Sequence, residues 1–376
     1  MNLDTSIQPG AKQNGTCERA TSLEEPKVDK GPIRVLILGA GKMGAEMARL
    51  TVAAPRLELV GAVDNKPGYA GVDVGRAIGL DRDLGVVVGV DLPTALDRLK
   101  PDVVVQATCS RVVDAWPAIA EALGRGVSVI SIAEEMAYPA YGSPDLATEM
   151  DNLARANNAR VLGTGINPGF ILDLLVVAMT GTCLRVDSIV GTRVNDLSAF
   201  GPTVLETQGV GLRPEEFDAG RAAGTVVGHF GFPETIHMIG QALGVEFDRI
   251  EESVSPIVSD VRRETPFVVV EPGEVAGARH EAVGYLNGRP FVRFDHPQQV
   301  RPDIAGVPTS DTIEIKGEPD IRLVINPEIP GGKSTAAVAV NMIPRLLAAN
   351  PGLYNMSDLP VPAAQVISPV MEAPNV

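Results

Sequence analysis

The segment from Ile33 to Asp64 most constrains how this chain folds, because it joins two apolar runs through a glycine-rich turn. The first run is Ile33–Leu38, and the turn is Gly39-Ala-Gly-Lys-Met-Gly44. A helix-like stretch then leads to a second apolar run that ends at Asp64. A strand, a Gly-x-Gly-x-x-Gly turn, a helix and a strand in this order predict the start of a dinucleotide-binding sheet.

Each glycine of the turn has a predicted role in holding the cofactor. Gly39 permits a tight turn, Gly41 lets backbone N–H groups approach a pyrophosphate, and Gly44 lets the helix pack close to the strand. Lys42 and Met43 belong to the same turn, at the helix end where the phosphates are expected. A structural glycine turn without a cofactor is the alternative.

The acid after the second run bears on the choice of cofactor. Asp64 lies 20 positions after Gly44, where a carboxylate accepts hydrogen bonds from ribose hydroxyls and repels a 2′-phosphate. NAD is therefore favoured. Asn65 and Lys66 follow directly and could hold a 2′-phosphate, so NADP use stays open.

Charge, cysteine and histidine content bear on which partners, disulfides and metal sites the chain can have. The 376 residues include 32 basic and 47 acidic ones, a net charge of −15, which disfavours nucleic acid and anionic membranes as partners. Cys17, Cys109 and Cys183 are too few and too scattered for a disulfide framework, which favours a reducing, cytoplasmic setting. The four histidines show no metal-binding spacing, so no metal site is predicted.

The apolar pattern divides the chain into two domains. Residues 32–165 alternate short Val- and Ile-rich runs with helical patterns, which predicts a Rossmann-type doubly wound α/β sheet. Residues 166–332 open with a helix at 166–180 and continue with alternating strands, which predicts an α+β substrate-binding domain on a mainly antiparallel sheet. By analogy with similar folds this domain would form a homodimer. A helix at 333–350 would return to the first domain, between a disordered leader (1–31) and a loose tail (351–376).

Ligands of such a sheet lie outside the carboxyl ends of its strands, so the residues that follow each strand are the candidates for the site. Thr108, Cys109 and Ser110 follow one strand, and their small side chains would let the dinucleotide lie across the sheet. A plain polar turn is the alternative for these three residues.

The next strand ends in two adjacent acids, Glu134 and Glu135. Burying an unpartnered carboxylate costs on the order of several kcal/mol, which suggests a functional reason for the pair. One of them would exchange protons beside the carbon that transfers hydride. Solvated loop acids or a helix cap are the alternative.

Further candidates come from the following strand and from the second domain. Asn167 and Pro168 would lie beside the nicotinamide, and Phe170 would line the substrate pocket. Arg193 and Asn195 could place a cation and an amide above the substrate, although a surface ion pair is the alternative for Arg193. Phe200 would supply an apolar lining if the substrate were a simple amine.

Five segments give the chain a family likeness. It resembles the 2,4-diaminopentanoate dehydrogenase family, which includes native amine dehydrogenases and whose N-terminal domain is similar to dihydrodipicolinate reductase. The likeness spans about residues 33–350 and rests on Gly39–Gly44, Val129–Glu135, Gly163–Phe170, Gly228–Glu234 and Ala336–Pro344.

This resemblance implies an NAD(P)-dependent dehydrogenase that oxidises an amine or diamino acid, or in reverse aminates a ketone or aldehyde with ammonia. It implies a catalytic glutamate in the Glu134-Glu135 pair, of which Glu134 is nearer the strand end, and Asn341 in the last segment is assigned to the cofactor. The chain lacks the His-His-x-x-Lys segment of true dihydrodipicolinate reductases. An imine or enoyl reductase, a homoserine- or diaminopimelate-type dehydrogenase and a non-catalytic nicotinamide sensor remain alternatives.

Overall fold

The computed structural model describes residues 31–365. The predicted leader, apart from Gly31, and residues 366–376 of the predicted tail lie outside the described residues. No helix within the described range is long and apolar enough to cross a bilayer.

A seven-stranded parallel sheet forms the first domain. Residues of its central strands are buried on both faces, as expected for a sheet covered by helices on each side. Its strands are β1 (Ile33–Leu38), β2 (Leu57–Val63), β3 (Val88–Gly89), β4 (Val103–Gln106), β5 (Ser128–Ser131), β6 (Arg160–Gly163) and β15 (Gly352–Tyr354). The order β15-β6-β5-β4-β1-β2-β3 reverses direction at β1. The crevice where such sheets bind ligands therefore lies between β1 and β4.

Helices cover both faces of this sheet, and each face has its own hydrophobic cluster. The helices are α1 (Lys42–Ala53), α2 (Val74–Ala77), α3 (Leu92–Leu99), α4 (Val112–Leu123), α5 (Pro139–Gly142), α6 (Pro144–Ala156) and α11 (Gly331–Leu347), with a 3₁₀ turn at Glu134–Ala137. The predicted Rossmann-type doubly wound sheet is confirmed.

A six-stranded sheet forms the second domain. Its strands are β7 (Arg185–Asp196), β8 (Arg249–Val258), β11 (Val275–Leu286), β12 (Arg289–Gln299), β13 (Ser310–Glu318) and β14 (Ile321–Ile325), and a small ribbon pairs β9 (Arg263–Glu264) with β10 (Val269–Val270). The order is β14-β13-β7-β12-β11-β8. Only β7 and β12 run parallel, so the predicted mainly antiparallel sheet is confirmed.

The helices of the second domain differ from the sequence-based expectation. They are α7 (Leu174–Thr180), α8 (Pro202–Thr207), α9 (Pro214–Ala223) and α10 (Phe232–Leu243), and the last three were not predicted. The helix predicted at 166–180 begins only at Leu174. The reason is local, since Gly169 has φ +127° and the Asp173 carboxylate caps the helix by accepting N–H from Leu174.

The chain returns to the first domain after the second sheet. Helix α11 packs against α1, β5 and β6. The following segment is not a loose tail throughout, because Gly352–Tyr354 pairs with β6 and Met356 is fully buried. The loose tail was predicted from the prolines of this segment, and most of them follow Asp358.

Backbone contacts too close for a side chain hold the strand ends in place. A Cβ added to Gly44 would overlap the carbonyl oxygen of Gly39, and one added to Gly163 would overlap the carbonyl of Met136. The second contact seats the 3₁₀ turn at Glu134–Ala137 directly on β6. Glycine at position 163 is therefore required by packing.

We expect Gly163→Ala to lower the free energy of unfolding by about 1–3 kcal/mol or more, because the added methyl group meets backbone that has no room to move. Gly142→Ala is the matched control, since a Cβ there meets no atom within 4 Å. Urea unfolding of both variants measures the difference. Equal stability of the two would show that the contact at Gly163 is not restrictive.

Candidate active site

The glycine-rich turn presents free backbone at the amino end of α1. Gly39 has φ +95°, and no side chain caps the helix. A Cβ added to Gly41 would meet only Nζ of Lys66, at 4.0 Å. The turn thus leaves space and unpaired N–H groups where a pyrophosphate would bind.

Asp64 ties the end of β2 to this turn. It is 8% exposed, and its two carboxylate oxygens accept N–H from Ala40 at 2.7 Å and from Lys66 at 2.8 Å. Each oxygen keeps a lone pair for a ribose hydroxyl. Asn65 is exposed, and the side chain of Lys66 reaches back towards Gly41.

The second domain closes over the same turn. Lys42 Nζ donates a hydrogen bond to the carbonyl oxygen of Ala199. A Cβ added to Gly332, in the first turn of α11, would lie 3.5 Å from Sδ of Met43. These contacts bring the second domain and α11 to the predicted phosphate site.

The loop after β4 is linked to the end of β5 by side-chain hydrogen bonds. Gln106 Nε2 donates to Thr108 Oγ1 at 2.7 Å and to Cys109 Sγ at 3.0 Å, while the Ser131 hydroxyl donates to the amide oxygen of Gln106. Cys109 and Cys183 are free thiols; Cys17 lies outside the described range.

The two acids after β5 have different surroundings. Glu135 accepts the N–H of Val112 at 2.8 Å, and its other oxygen lies 3.7 Å from Nε of Arg111. It therefore holds the amino end of α4, which matches the helix-cap alternative. Burial raises the pKa of Glu134, and the charge of Glu135 adds to the rise, whereas a hydrogen bond with Ser110 opposes it. The two acids therefore differ in environment, and the predicted catalytic role of Glu134 stays a prediction.

The segment after β6 connects the two domains. The Asn167–Pro168 peptide is cis, and Nδ2 of Asn167 lies 3.5 Å from Nδ1 of His296 in β12. Gly231, which precedes α10, packs on the ring of Pro168 so closely that a Cβ there would overlap it. Phe170 contacts the hydrophobic clusters of both domains.

Arg193 is engaged inside the protein. It is 2% exposed and pairs with Asp311, which is 1% exposed, and its Nη2 donates to the carbonyl oxygen of Ile329 at 2.6 Å. Burial raises the pKa of Asp311, and the charge of Arg193 works against that rise. An ion pair was the alternative for Arg193, but the pair is buried instead of lying on the surface.

The remaining predicted residues lie on β7, on the loop that follows it and on α11. Asn195 is buried two positions after Arg193. The ring of Phe200 lies against Gly331 at the start of α11, and Asn341 is half-buried on α11. Their predicted roles stay predictions.

Sequence reasoning missed a third acid. Glu234 is 6% exposed in the first turn of α10, a helix that packs against the Glu134–Ala137 turn. Burial raises the pKa of Glu234 to about 7, and the charges of Glu135 and Glu252 add to the rise. Glu234 lies in one of the five segments that carry the family resemblance. An acid directly after Phe232 and Pro233 was the sequence signal that could have revealed it.

Two histidines were also missed, half-buried His229 and buried His296. The ring centroids of His229 and His296 lie 4.8 Å apart, and burial holds the pKa of each well below the usual value, helped by nearby positive charge. Within residues 31–365 no three His, Cys, Asp or Glu side chains converge as metal ligands would.

Two stretches of the chain match known families. Residues 170–372 match the C-terminal domain of 2,4-diaminopentanoate dehydrogenase, and residues 33–131 match the N-terminus of dihydrodipicolinate reductase. A 2,4-diaminopentanoate dehydrogenase of Acetoanaerobium sticklandii is 44% identical over 338 residues, which is 88% of this chain and 94% of that protein. The chain belongs to the 2,4-diaminopentanoate dehydrogenase family.

Amine dehydrogenases are also similar to this family member. One from Streptomyces virginiae is 27% identical over 352 residues, covering 88% of this chain and 96% of that protein. The solved structure of an amine dehydrogenase from Mycobacterium smegmatis has a TM-score of 0.79 at 27% identity and covers 88% of this chain and 97% of that one. The predicted family, fold and NAD(P)-dependent amine dehydrogenase class are confirmed.

We expect Asp311→Asn to lower the free energy of unfolding by about 3–5 kcal/mol, because it leaves the guanidinium of Arg193 buried without a counter-charge. Asp187→Asn is the matched control, since Asp187 pairs with Arg185 on the same strand at an exposed site and should cost less than about 1 kcal/mol. Denaturant unfolding measures both. Similar losses in the two variants would contradict the dominant role of burial.

Proposed function

We propose that this enzyme oxidises an amino group of a small diamino acid such as 2,4-diaminopentanoate to the ketone with release of ammonia, and catalyses the reverse amination. The family membership supports the reaction class. The observation that carries the proposal is the difference between the two acids after β5, where Glu135 is committed to α4 and Glu134 keeps a carboxyl group with a raised pKa.

The proposed cofactor is NAD. The open space at Gly41 and the uncapped end of α1 fit its pyrophosphate, and the loop Thr108–Ser110 would lie beneath its second half. Once bound, the nicotinamide supplies the acceptor for hydride. Asp64 stands where the adenosine ribose would lie and disfavours a 2′-phosphate.

Glu134 is the proposed proton acceptor and donor. In deamination its carboxylate takes a proton from the substrate ammonium, which leaves the neutral amine that can lose hydride from its carbon. After water adds to the resulting iminium, Glu134 receives and returns protons as the carbinolamine expels ammonia. Closure of the second domain over the bound substrate would keep bulk water from the iminium.

The reductase alternative has narrower support. The family match to the N-terminus of dihydrodipicolinate reductase ends at residue 131, whereas the match to the diaminopentanoate family covers the second domain. Since the second domain carries the predicted substrate residues, we favour deamination over reduction of a cyclic imine. We further propose a cytoplasmic homodimer.

Replacing Glu134 tests the proton transfer. We expect Glu134→Gln to lower kcat by about 10²- to 10⁴-fold, because the amide cannot accept a proton. In the wild-type enzyme kcat/KM for deamination should fall as the pH drops below the raised pKa of Glu134, since the protonated acid is no longer a base. Spectrophotometric assay of NADH formation measures both effects.

Glu135→Gln is the matched control, because it keeps an acceptor for the N–H of Val112 and should keep activity within about tenfold. Near-full activity of Glu134→Gln, or equal losses in the two variants, would contradict the assignment.

Replacing Asp64 tests the cofactor preference. We expect Asp64→Asn to reduce kcat/KM for NAD by about 10- to 100-fold, because a charged acceptor is lost, and to leave the value for NADP unchanged or higher. Asp73→Asn is the control, as Asp73 also accepts backbone N–H groups but caps α2 instead of the glycine-rich turn. An unchanged NAD to NADP ratio in Asp64→Asn would count against the role of Asp64.

A further inference from the structure

The buried face of the second sheet changes from apolar to polar along its strands. On β7 the inward residues begin with Ile189 and Gly191 and end with Arg193 and Asn195. The parallel neighbour β12 begins with Val292 and Phe294 and ends with His296 and Gln298. Because these strands run in the same direction, the polar halves lie together at one end of the sheet.

Several buried polar atoms at this end have no hydrogen-bond partner. They are Nε2 of His296, Nε2 of His229, Nε2 of Gln298 and Oδ1 of Asn167. An unsatisfied buried polar group costs about 1–3 kcal/mol, and a cluster of them in one place is unusual in a folded protein. Such a cluster is expected where a polar ligand completes the hydrogen bonds.

The side chains that carry these atoms are neighbours. The rings of His229 and His296 have centroids 4.8 Å apart in an edge-to-face arrangement. Asn167 Nδ2 lies 3.5 Å from Nδ1 of His296, and Gln298 follows His296 on the same face of β12. His296 and Gln298 are 2% and 6% exposed.

The hydrogen-bond capacity of the cluster favours an anion. With the amide of Asn167 directed at Nδ1, neutral His296 carries its proton on Nε2 and is a donor there. Gln298 Nε2 is a second donor. Burial, together with the positive charge of Arg193, lowers the pKa values of both imidazoles, so they are neutral hydrogen-bonding groups.

Acidic side chains occupy the other side of the cluster. His280, opposite His296 on β11, has its Nε2 3.1 Å from Oε1 of Glu252, and the charge of Glu252 acts on buried Glu234. A ligand with a carboxylate near His296 and an ammonium group near Glu234 would match the donors of the cluster and the acids beside it.

We infer that His229, His296 and Gln298 form the subsite for the carboxylate of the substrate, and that Glu234 and Glu252 face an ammonium group that is not oxidised. The inference rests on the proposed function. The cluster adjoins Asn167 at the end of β6, and β6 lies beside the strand that leads to Glu134. The inference names the residues that would distinguish the proposed diamino acid from a simple amine.

The test compares 2,4-diaminopentanoate with the diamine that lacks only the carboxylate. For the wild-type enzyme we expect kcat/KM to be higher for the amino acid. His296→Leu should lower that value by about 10- to 100-fold, mainly through KM, and leave the value for the diamine nearly unchanged. His296→Gln, which keeps an N–H donor, should recover part of the loss.

His237→Leu is the matched control, since the ring contacts of His237 are with Tyr138 and Tyr141 and not with His229 or His296, and it should leave the ratio of the two substrates unchanged. Equal losses on both substrates in His296→Leu, or no loss on either, would overturn the subsite.

Calorimetric titration of 2,4-diaminopentanoate into the NAD-saturated protein separates this inference from the proposed function. Absence of turnover by the wild-type protein on both compounds would refute the function. Binding that is present in the wild-type protein and weakened at least tenfold in His296→Leu would still support the subsite, and absence of binding to the wild-type protein would overturn it.

Discussion

Close backbone packing at the carboxyl edge of the parallel sheet is the constraint on which the rest of the site depends. Gly44 lies on the carbonyl of Gly39, and Gly163 lies on the carbonyl of Met136, with no room for a Cβ in either place. The first contact brings α1 against β1 and leaves the glycine-rich turn open. The second seats the turn that carries Glu134 on the neighbouring strand. Both ends of the predicted cofactor site are thus positioned by main chain, which moves little.

Burial of charge organises the second domain. Arg193 and Asp311 are both nearly inaccessible, and Asp311 also accepts the N–H of Ile329 at 2.8 Å, so the pair fixes the segment that leads into α11. A buried pair of this kind adds little net stability relative to apolar residues, but it fixes one arrangement of the parts around it. Here those parts include two neutral histidines and the start of the helix that returns to the first sheet.

Much of the fold could be predicted from local sequence. The predicted alternation of strands and helices over residues 32–165 includes α1 and α4, because a glycine turn or strand end and an apolar stripe mark each of them. The bounds of α7 were missed because Gly169 and Asp173 act through backbone conformation and capping, which periodicity does not reveal. Strand β15 was missed because three residues carry too little pattern, and its burial depends on β6, which lies far away in the sequence.

The sequence by itself determined the Rossmann-type sheet, its polarity and the family, because glycine spacing, strand periodicity and terminal acids are local signals. Only the tertiary structure decided how neighbouring acids differ, since Glu135 holds α4 while Glu134 stays available. It also decided that Arg193 is paired with Asp311 and that the rings of His229 and His296 lie 4.8 Å apart. Those outcomes depend on desolvation and on contacts between strands and helices distant in the chain, and no single stretch of sequence encodes them.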